Sequence, residues 1–397
     1  MSSSACRVPH CGGALEILLE TGEHPVSNGY IREGDNAPLR PLTLARCPSC
    51  GLLQLPGTFA EEELAAAVPT WVRYNEPEAH LDEVAALLAD IMQGDTSRSI
   101  AGLTYIDQSL QDRLKKLGWE SQSGLDVLNG TDASERCSIE QMLAGVQSGR
   151  WGREGQKVDL LLNRHVFDHT RDTAAFLQFI RASLSNRGLV VFEVPSSIAD
   201  IEACNPLMLW ESHANYFTPA TFLRTLEAGG LKVELYRQFT PGGPPVLVVV
   251  CSVGQGDVSV AGEAEDISED ALKTYVAHFE PNREALRVKL AALRAKHSVI
   301  AMLGAGHIGN LFLNLHDLGD FLDCAADDDA RKSGLLLPGS WLPIRGGVTL
   351  AGVEGLFVLM AVNPAVEERV IERWRQQNPS AVFGSIFPQS PRSVLKL

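Results

Sequence analysis

The sequence predicts an α/β protein of three parts: a small metal-stapled head, a parallel-sheet middle domain and a second, smaller α/β tail domain. Three observations carry that expectation. Two close pairs of cysteines stand in a loop-rich N-terminal segment. Two compact apolar runs, "KVDLLLNRHVF" and "RGLVVFEVP", flank the amphipathic "DTAAFLQFIRASLSN", which is the strand, helix, strand grammar of a buried parallel sheet. Near the C-terminus, "VIAMLGAGHIGNLFLNL" repeats a strand-to-helix turn. The boundaries are placed at 1–68, 69–258 and 259–397.

Taken in order, the head is rich in Pro, Gly and short apolar runs, and "CPSCG" leads into the strand-like "LLQLP". Helical patterns follow at "AEEELAAA" and at "LDEVAALLADIMQ", where Val84, Leu87, Leu88 and Ile91 share a face. The helix before "RGLVVFEVP" is expected to stop with Gly188 just past its end. A helix at "PATFLRTLEAGG" precedes "KVELYRQF" and "PPVLVVVCSV", which read as antiparallel strands around "TPGGPP". The polar, acidic "GQGDVSVAGEAEDISED" marks the second boundary. The tail opens with a helix at "EALRVKLAALRAKHS", and later strands fall at "FLDCAADDD" and "GLFVLMAV".

With 397 residues, 45% of them hydrophobic, each part can bury a core. The formal net charge of −15 argues against nucleic acid and anionic membranes as partners, since both need a basic footprint. No apolar run reaches the roughly 20 residues that span a bilayer, and "MSSSACRVPH" has neither a basic start nor an apolar signal core, so a cytoplasmic location is expected. In a reducing compartment, paired cysteines read as metal ligands. Cys6, Cys11, Cys47 and Cys50 form two knuckles suited to tetrahedral zinc, a closed and therefore structural site; His10 is the alternative ligand beside Cys11.

This order of parts, with "PLTLARCPSCGLLQL", "VVFEVPSS", "WESHANYFTPATF", "LGAGHIGN" and "LLPGSWLPI", resembles the zinc-binding sugar C-methyltransferases across nearly the whole chain. The resemblance implies a zinc-binding head, a Rossmann-like class I methyltransferase domain and a Rossmann-like tail that helps hold a nucleoside-diphosphate ketosugar. The family reaction removes a proton next to a ketone and transfers a methyl group from S-adenosylmethionine to that carbon.

The departures fall on functional positions. Where the family loop reads Glu-x-x-x-Asn-Asp-Gly, this chain has "LTYIDQS": Asp107 survives, Ile106 stands for the Asn and Gln108 for the Gly, whose side chain would crowd the donor. Asp126 in "SGLDV" matches the ribose-binding acid and Glu193 another family position; a strand-end cap and a salt-bridged strand residue are the plainer readings. Where the family has Tyr-His-Glu-His, the chain has Trp210, Glu211, Ser212 and His213. The resemblance makes His213 the base, with Glu211 as its partner and Tyr74 as an aromatic reaching the site. From the family's Asn-x-x-x-His pattern, Asn163 is carried over to the cofactor and His169 to the substrate.

In the tail, Gly304, Gly306 and Gly309 form a Gly-x-Gly-x-x-Gly turn before a helix, with Asp327 near the position of a ribose-binding acid. A nucleotide-sugar diphosphate, a purely structural turn and a dinucleotide remain open, and His307 and Asn310 are the side chains that would face a phosphate. Two functions stand side by side: methyl transfer from S-adenosylmethionine to carbon beside a carbonyl of a nucleotide sugar or similar small molecule, and base-catalysed isomerisation or elimination by a relative that has lost the donor. A ligand-binding protein without catalysis is the third.

Overall fold

The structure is a computed structural model, which describes residues 5–120, 138–147, 157–242, 245–256, 262 and 264–396. The expected strand at "SGLDV", with Asp126, lies outside the described residues. In chain order the head holds β1 (Glu16–His24), β2 (Arg40–Arg46), β3 (Leu53–Gln54) and α1 (Glu61–Ala67). The middle part holds α2 (Leu81–Ile91), β4 (Ile100–Gly102), α3 (Gln108–Lys116), α4 (Ile139–Gln147), β5 (Val158–Arg164), α5 (Thr173–Ser183), β6 (Leu184–Pro195), α6 (Ile198–Glu202), β7 (Asn215–Tyr216), α7 (Pro219–Ala228), β8 (Leu231–Phe239) and β9 (Val246–Val253). The tail holds α8 (Glu269–Arg294), β10 (Val299–Leu303), α9 (His307–His316), β11 (Cys324–Ala326), β12 (Ile344–Arg345), β13 (Leu356–Met360), α10 (Glu367–Arg375) and β14 (Val382–Ser385).

The middle sheet runs β4-β5-β6-β9-β8, its first three strands parallel and its last two antiparallel. Both faces are covered, which is why its strands read as continuous apolar runs. Leu161, Val190, Phe192 and Val249 pack against Phe176, Leu177 and Ile180 of α5 and Phe222 and Leu226 of α7. Leu160, Leu162, Val191 and Val248 pack against Val84 and Leu88 of α2 and Leu110 and Leu114 of α3. Each such fully buried side chain contributes roughly 1.5–3 kcal/mol. The tail sheet runs β12-β11-β10-β13-β14, all parallel.

Two expectations need correcting. Gly188 lies inside β6, because α5 passes directly into the strand at Leu184. The helix expected from Glu284 begins at Glu269: Ser268 caps it, and Leu272, Tyr275 and Phe279 gain a buried face that outweighs Pro281 inside it.

What positions the site is the way the parts interlock. The head sheet is antiparallel and runs β1-β2-β3-β7, so its last strand comes from "WESHANYF" of the middle part. One apolar cluster joins Leu44 and Leu53 of the head, Trp210 before β7 and Tyr216 in it, Tyr275 of α8 and Leu311 of α9. The loop before β7 is thereby fixed where all three parts meet.

Candidate functional site

The four paired cysteines converge, their sulfurs all within 4.8 Å of one another. Cys6 Sγ lies 3.3 Å from Cys50 Sγ, and Cys11 Sγ 3.7 Å from Cys47 Sγ. Sulfurs about 2.3 Å from a tetrahedral zinc are about 3.8 Å apart, so the set fits that ion. A Cβ at Gly13 would come within 2.6 Å of Cys47 Sγ, so the knuckle requires glycine there. His10 is exposed and stands outside the cluster.

On the side where the methyl donor is expected, the described acids are already engaged. Asp107 Oδ2 accepts the N–H groups of Leu103 (2.8 Å) and Thr104 (2.9 Å), and Oδ1 accepts that of Arg164 (3.0 Å). Burial lifts its carboxyl to about 6 against those donors. Gln108 turns to Asp112. The Arg164 guanidinium, fully buried, pairs with both oxygens of Glu193 (2.9 and 3.0 Å) and donates to the Ile106 carbonyl (2.7 Å). His165 Nε2 lies 2.9 Å and His80 Nε2 3.2 Å from the same carboxylate. Burial alone would raise Glu193; the Arg164 charge holds it well below the carboxylate range. Burial works against a charged His165, yet Glu76 and the bond to Glu193 bring it to about 9.

Asn163 is fully buried with neither amide atom bonded, next in the strand to Arg164 and so on the opposite face of the sheet. Counted back from His169, the Asn-x-x-x-His spacing falls on His165, so the carry-over to Asn163 is misplaced by two residues. Of the acids expected at the methyl donor, Asp107 and Glu193 are thus engaged within the chain, and Asp126 lies outside the described residues.

The junction of the three parts is different. At the C-terminal end of β5 a single tight turn (Phe167–His169) presents Asp168 and His169, and the loop before β7 brings His213 to them. His213 Nε2 lies 3.3 Å and His169 Nε2 3.9 Å from Asp168 Oδ2. Both Asp168 oxygens and His169 Nδ1 are buried without a hydrogen bond. Burial lifts Asp168 to about 7 and pushes His213 down to about 3, the latter helped by the positive field of His307, His165 and Arg171. Burial, and then His213, holds His169 well below its ordinary value.

Trp210 connects this cluster to the next. Its ring lies 4.7 Å from His213, 5.3 Å from His169, 5.2 Å from Tyr74 and 4.2 Å from His307. Tyr74 Oη donates to Glu140 Oε1 (3.2 Å) and accepts from Asn28 Nδ2 (2.6 Å). Burial raises both the Tyr74 phenol and the Glu140 carboxyl, and Glu140 Oε2 is buried without a bond.

Glu211 is not the partner of His213. Its carboxylate accepts from Ser27 N (2.6 Å), Ser27 Oγ (2.8 Å) and Trp210 Nε1 (3.1 Å), which clamps the head to this loop. The acid beside His213 is Asp168. Asn310 likewise turns from the tail turn to the head, donating to the carbonyls of Ser27 (2.9 Å) and Pro338 (3.0 Å). His307, at the first turn of α9, stacks on Trp210 and faces the junction. Gly304 (φ +100°) and Gly309 serve backbone packing, since a Cβ at Gly309 would meet Gly304 O at 2.7 Å, whereas one at Gly306 meets nothing within 4 Å. Asp327 is used inside the turn, accepting from Ala305 N (2.9 Å) and Lys332 Nζ (2.8 Å).

Sequence reading missed Asp168, Glu140, Asn28 and Arg164. The Asp-His pair at 168–169 was a usable signal; Glu140 and Asn28 stand in no motif and are found only through contacts. A cavity of about 360 Å³ between Ile91, Arg98, Arg187 and Glu234 lies at the opposite end of the sheet, and its side chains include none of the buried unbonded groups, so it is not the site.

Comparison with known proteins matches residues 95–236 to a methyltransferase domain and residues 260–375 to a C-methyltransferase C-terminal domain. A relative, the C-methyltransferase NovU of Streptomyces niveus, is 26% identical over 220 residues, 52% of this chain and 52% of the relative. The chain thus aligns with about half the length of that curated relative. Among solved structures, the 1,6-didemethyltoxoflavin N1-methyltransferase of Burkholderia thailandensis has a TM-score of 0.32 at 15% identity, over 45% of this chain and 80% of its own. The glycopeptide N-methyltransferase MtfA has a TM-score of 0.31 at 14% identity, over 46% and 96%. Likenesses at that level carry no argument about the site.

Proposed function

We propose that the chain, whose matched domains are those of C-methyltransferases, acts on carbon next to a carbonyl of a small molecule held at the three-part junction, by a base-catalysed step that does not itself require S-adenosylmethionine. The observation that carries this reading is the contrast between the two ends of the site. At the donor end the carboxylates of Asp107 and Glu193 are bonded by Arg164, His165 and backbone N–H groups, although the Asn163 amide beside Arg164 in the strand is not; at the junction it is carboxylates, Asp168 and Glu140, that carry unbonded oxygens. A buried polar atom without a partner costs about 1–3 kcal/mol, a cost that a bound ligand would relieve. Asp126, the acid expected to hold the donor's ribose, lies outside the described residues, and the chemistry proposed is that of the junction's own side chains.

The chemistry follows from the two unbonded groups of acids. Glu140, a carboxylate made more basic by burial, takes the proton through Oε2; the C–H pair moves into the new C=C bond and the carbonyl electrons onto oxygen. The oxygen end lies toward Asp168, His169 and His213, and Tyr74, kept a phenol by burial, positions the substrate. Returning the proton to the other carbon completes an isomerisation; loss of a leaving group completes an elimination. His213, faced by Asp168 and hard to charge, is less suited to taking the proton than the resemblance implies. Zinc, held by Cys6, Cys11, Cys47 and Cys50, would fix the head.

For substrate we propose a nucleoside-diphosphate ketosugar. The free N–H groups at the start of α9 and the open space beside Gly306 suit a phosphate, and His307 in the same turn reaches the junction. The test is deuterium exchange at the carbon beside the carbonyl of nucleotide ketosugars in heavy water, with titration of S-adenosylmethionine and S-adenosylhomocysteine. Exchange without donor, lost in Glu140→Gln, is expected. Micromolar heat with either donor ligand together with a methylated product would instead establish methyl transfer, the reading that the family match favours.

A further inference from the structure

We propose that Asp168, His169 and His213 form a second metal site, which binds a first-row divalent cation and presents it to the substrate carbonyl. The inference rests on the reading of the junction as the reaction site and names what holds the oxygen there.

The geometry is close to a coordination sphere. One ligand atom from each residue lies within 4.8 Å of the other two, with 3.3 Å between His213 Nε2 and Asp168 Oδ2 and 3.9 Å between His169 Nε2 and the same oxygen. Ligands about 2.1 Å from a cation in tetrahedral array are about 3.4 Å apart, so the set closes on an ion with shifts of a few tenths of an ångström at those pairs. The same atoms do not close as a hydrogen-bonded triad: both Asp168 oxygens lack a donor, although the side chain is only 2% exposed. A carboxylate taken out of water without a hydrogen-bond donor is disfavoured, and a cation bound to its oxygens answers that need.

Placement agrees. The turn carrying Asp168 and His169 follows the C-terminal end of β5, where ligands of open α/β sheets bind. Two imidazoles and one carboxylate suit a first-row divalent ion and leave coordination positions open. Trp210 and the two histidine rings wall the cluster, which limits access of water and strengthens the field of an ion there. The four-cysteine set is separate in ligand type and in place, within the head. No oxidant or reductant is invoked. The cation accepts a lone pair of the carbonyl oxygen, the proton passes to Glu140, and the enolate oxygen stays on the cation until carbon is protonated again.

The test is titration of the full-length, metal-stripped protein with Co(II), followed by absorption spectroscopy and metal analysis. Two classes of equivalent are expected: one with intense thiolate-to-metal bands from the cysteines, and one with only weak visible bands of a nitrogen and oxygen site. In Asp168→Asn and in His213→Gln the second class should vanish while the thiolate bands persist, and those bands also report that each variant is folded. A single thiolate class in the wild type overturns the proposal, as does a second class that survives both substitutions. Substrate deuterium exchange undiminished in protein without the second ion would keep the junction as the site and remove the cation. A second cobalt class in a protein with no exchange on any ketosugar would keep the metal site and remove the enolisation reading.

Discussion

The Arg164 and Glu193 pair makes the sharpest prediction about the donor side. Arg164→Met keeps most of the apolar stem while deleting the guanidinium. It removes both bonds to Glu193 and the bond to the Ile106 carbonyl, leaving a carboxylate that is 1% exposed with only His165 and His80 beside it. Breaking a buried ion pair from one side costs about 3–5 kcal/mol. At roughly 2–4 °C per kcal/mol for a domain of this size, the loss in Tm is roughly 6–20 °C. Differential scanning calorimetry on wild type, Arg164→Met, Glu193→Gln and the double variant gives the answer as a cycle. The double variant should recover most of the loss, because no unpaired charge stays buried. A single Arg164→Met within about 1 kcal/mol of wild type, or a double variant with additive losses, would refute the argument that this pair fills the donor side as a unit.

Three further outcomes follow from the same structure. Stability should fall as pH rises through the window from about 6.5 to 9, and a urea-melt series should find His165→Gln flatter there: His165 is raised from 6.5 to about 9 in the fold, so its contribution is fully present below the lower value and lost through the upper one. Gly309→Ala should lower the tail's stability by about 1–3 kcal/mol, since its Cβ meets Gly304 O and Met302 Sδ at 2.7 Å, while Gly306→Ala should melt like wild type and weaken only the binding of a nucleoside diphosphate by titration calorimetry. Cys47→Ser should abolish the thiolate-to-cobalt bands and expose the head to limited proteolysis, as removing one of four ligands costs a structural site most of its affinity.

The fold was legible where pattern and burial coincide. "KVDLLLNRHVF" and "RGLVVFEVP" became β5 and β6 because strands covered on both faces must be apolar throughout, and the pairing of β8 with β9 followed from the turn between them. Legibility ended where a helix or strand depends on a distant partner. Nothing local in "NYF" announces that it completes the head sheet, and nothing around Pro281 announces that α8 runs through it. The site divides the same way. The spacing brought the four cysteines together, and the resemblance named His213 and Tyr74, which the fold places around Trp210. The partner of His213 was not legible, because Glu211 is its neighbour in sequence while Asp168 is its neighbour in space.

That misassignment shows how the three parts form one site. Residues 27–31 of the head reach each of the others: Ser27 is held by Glu211 and gives its carbonyl to Asn310, Asn28 bonds Tyr74, Tyr30 Oη donates to the Ala305 carbonyl, and Ile31 pairs with Leu336. A side chain that looked catalytic by position, Glu211, and one that looked phosphate-binding, Asn310, are both spent on this loop. The junction's unbonded groups therefore stand beside a loop that is bonded to both other parts, although Asn28 Oδ1 in that loop is itself unbonded. That the interface satisfies Ser27 three times over yet leaves Asp168, His169 and Glu140 with unbonded atoms is what motivates the proposal that a ligand completes the junction.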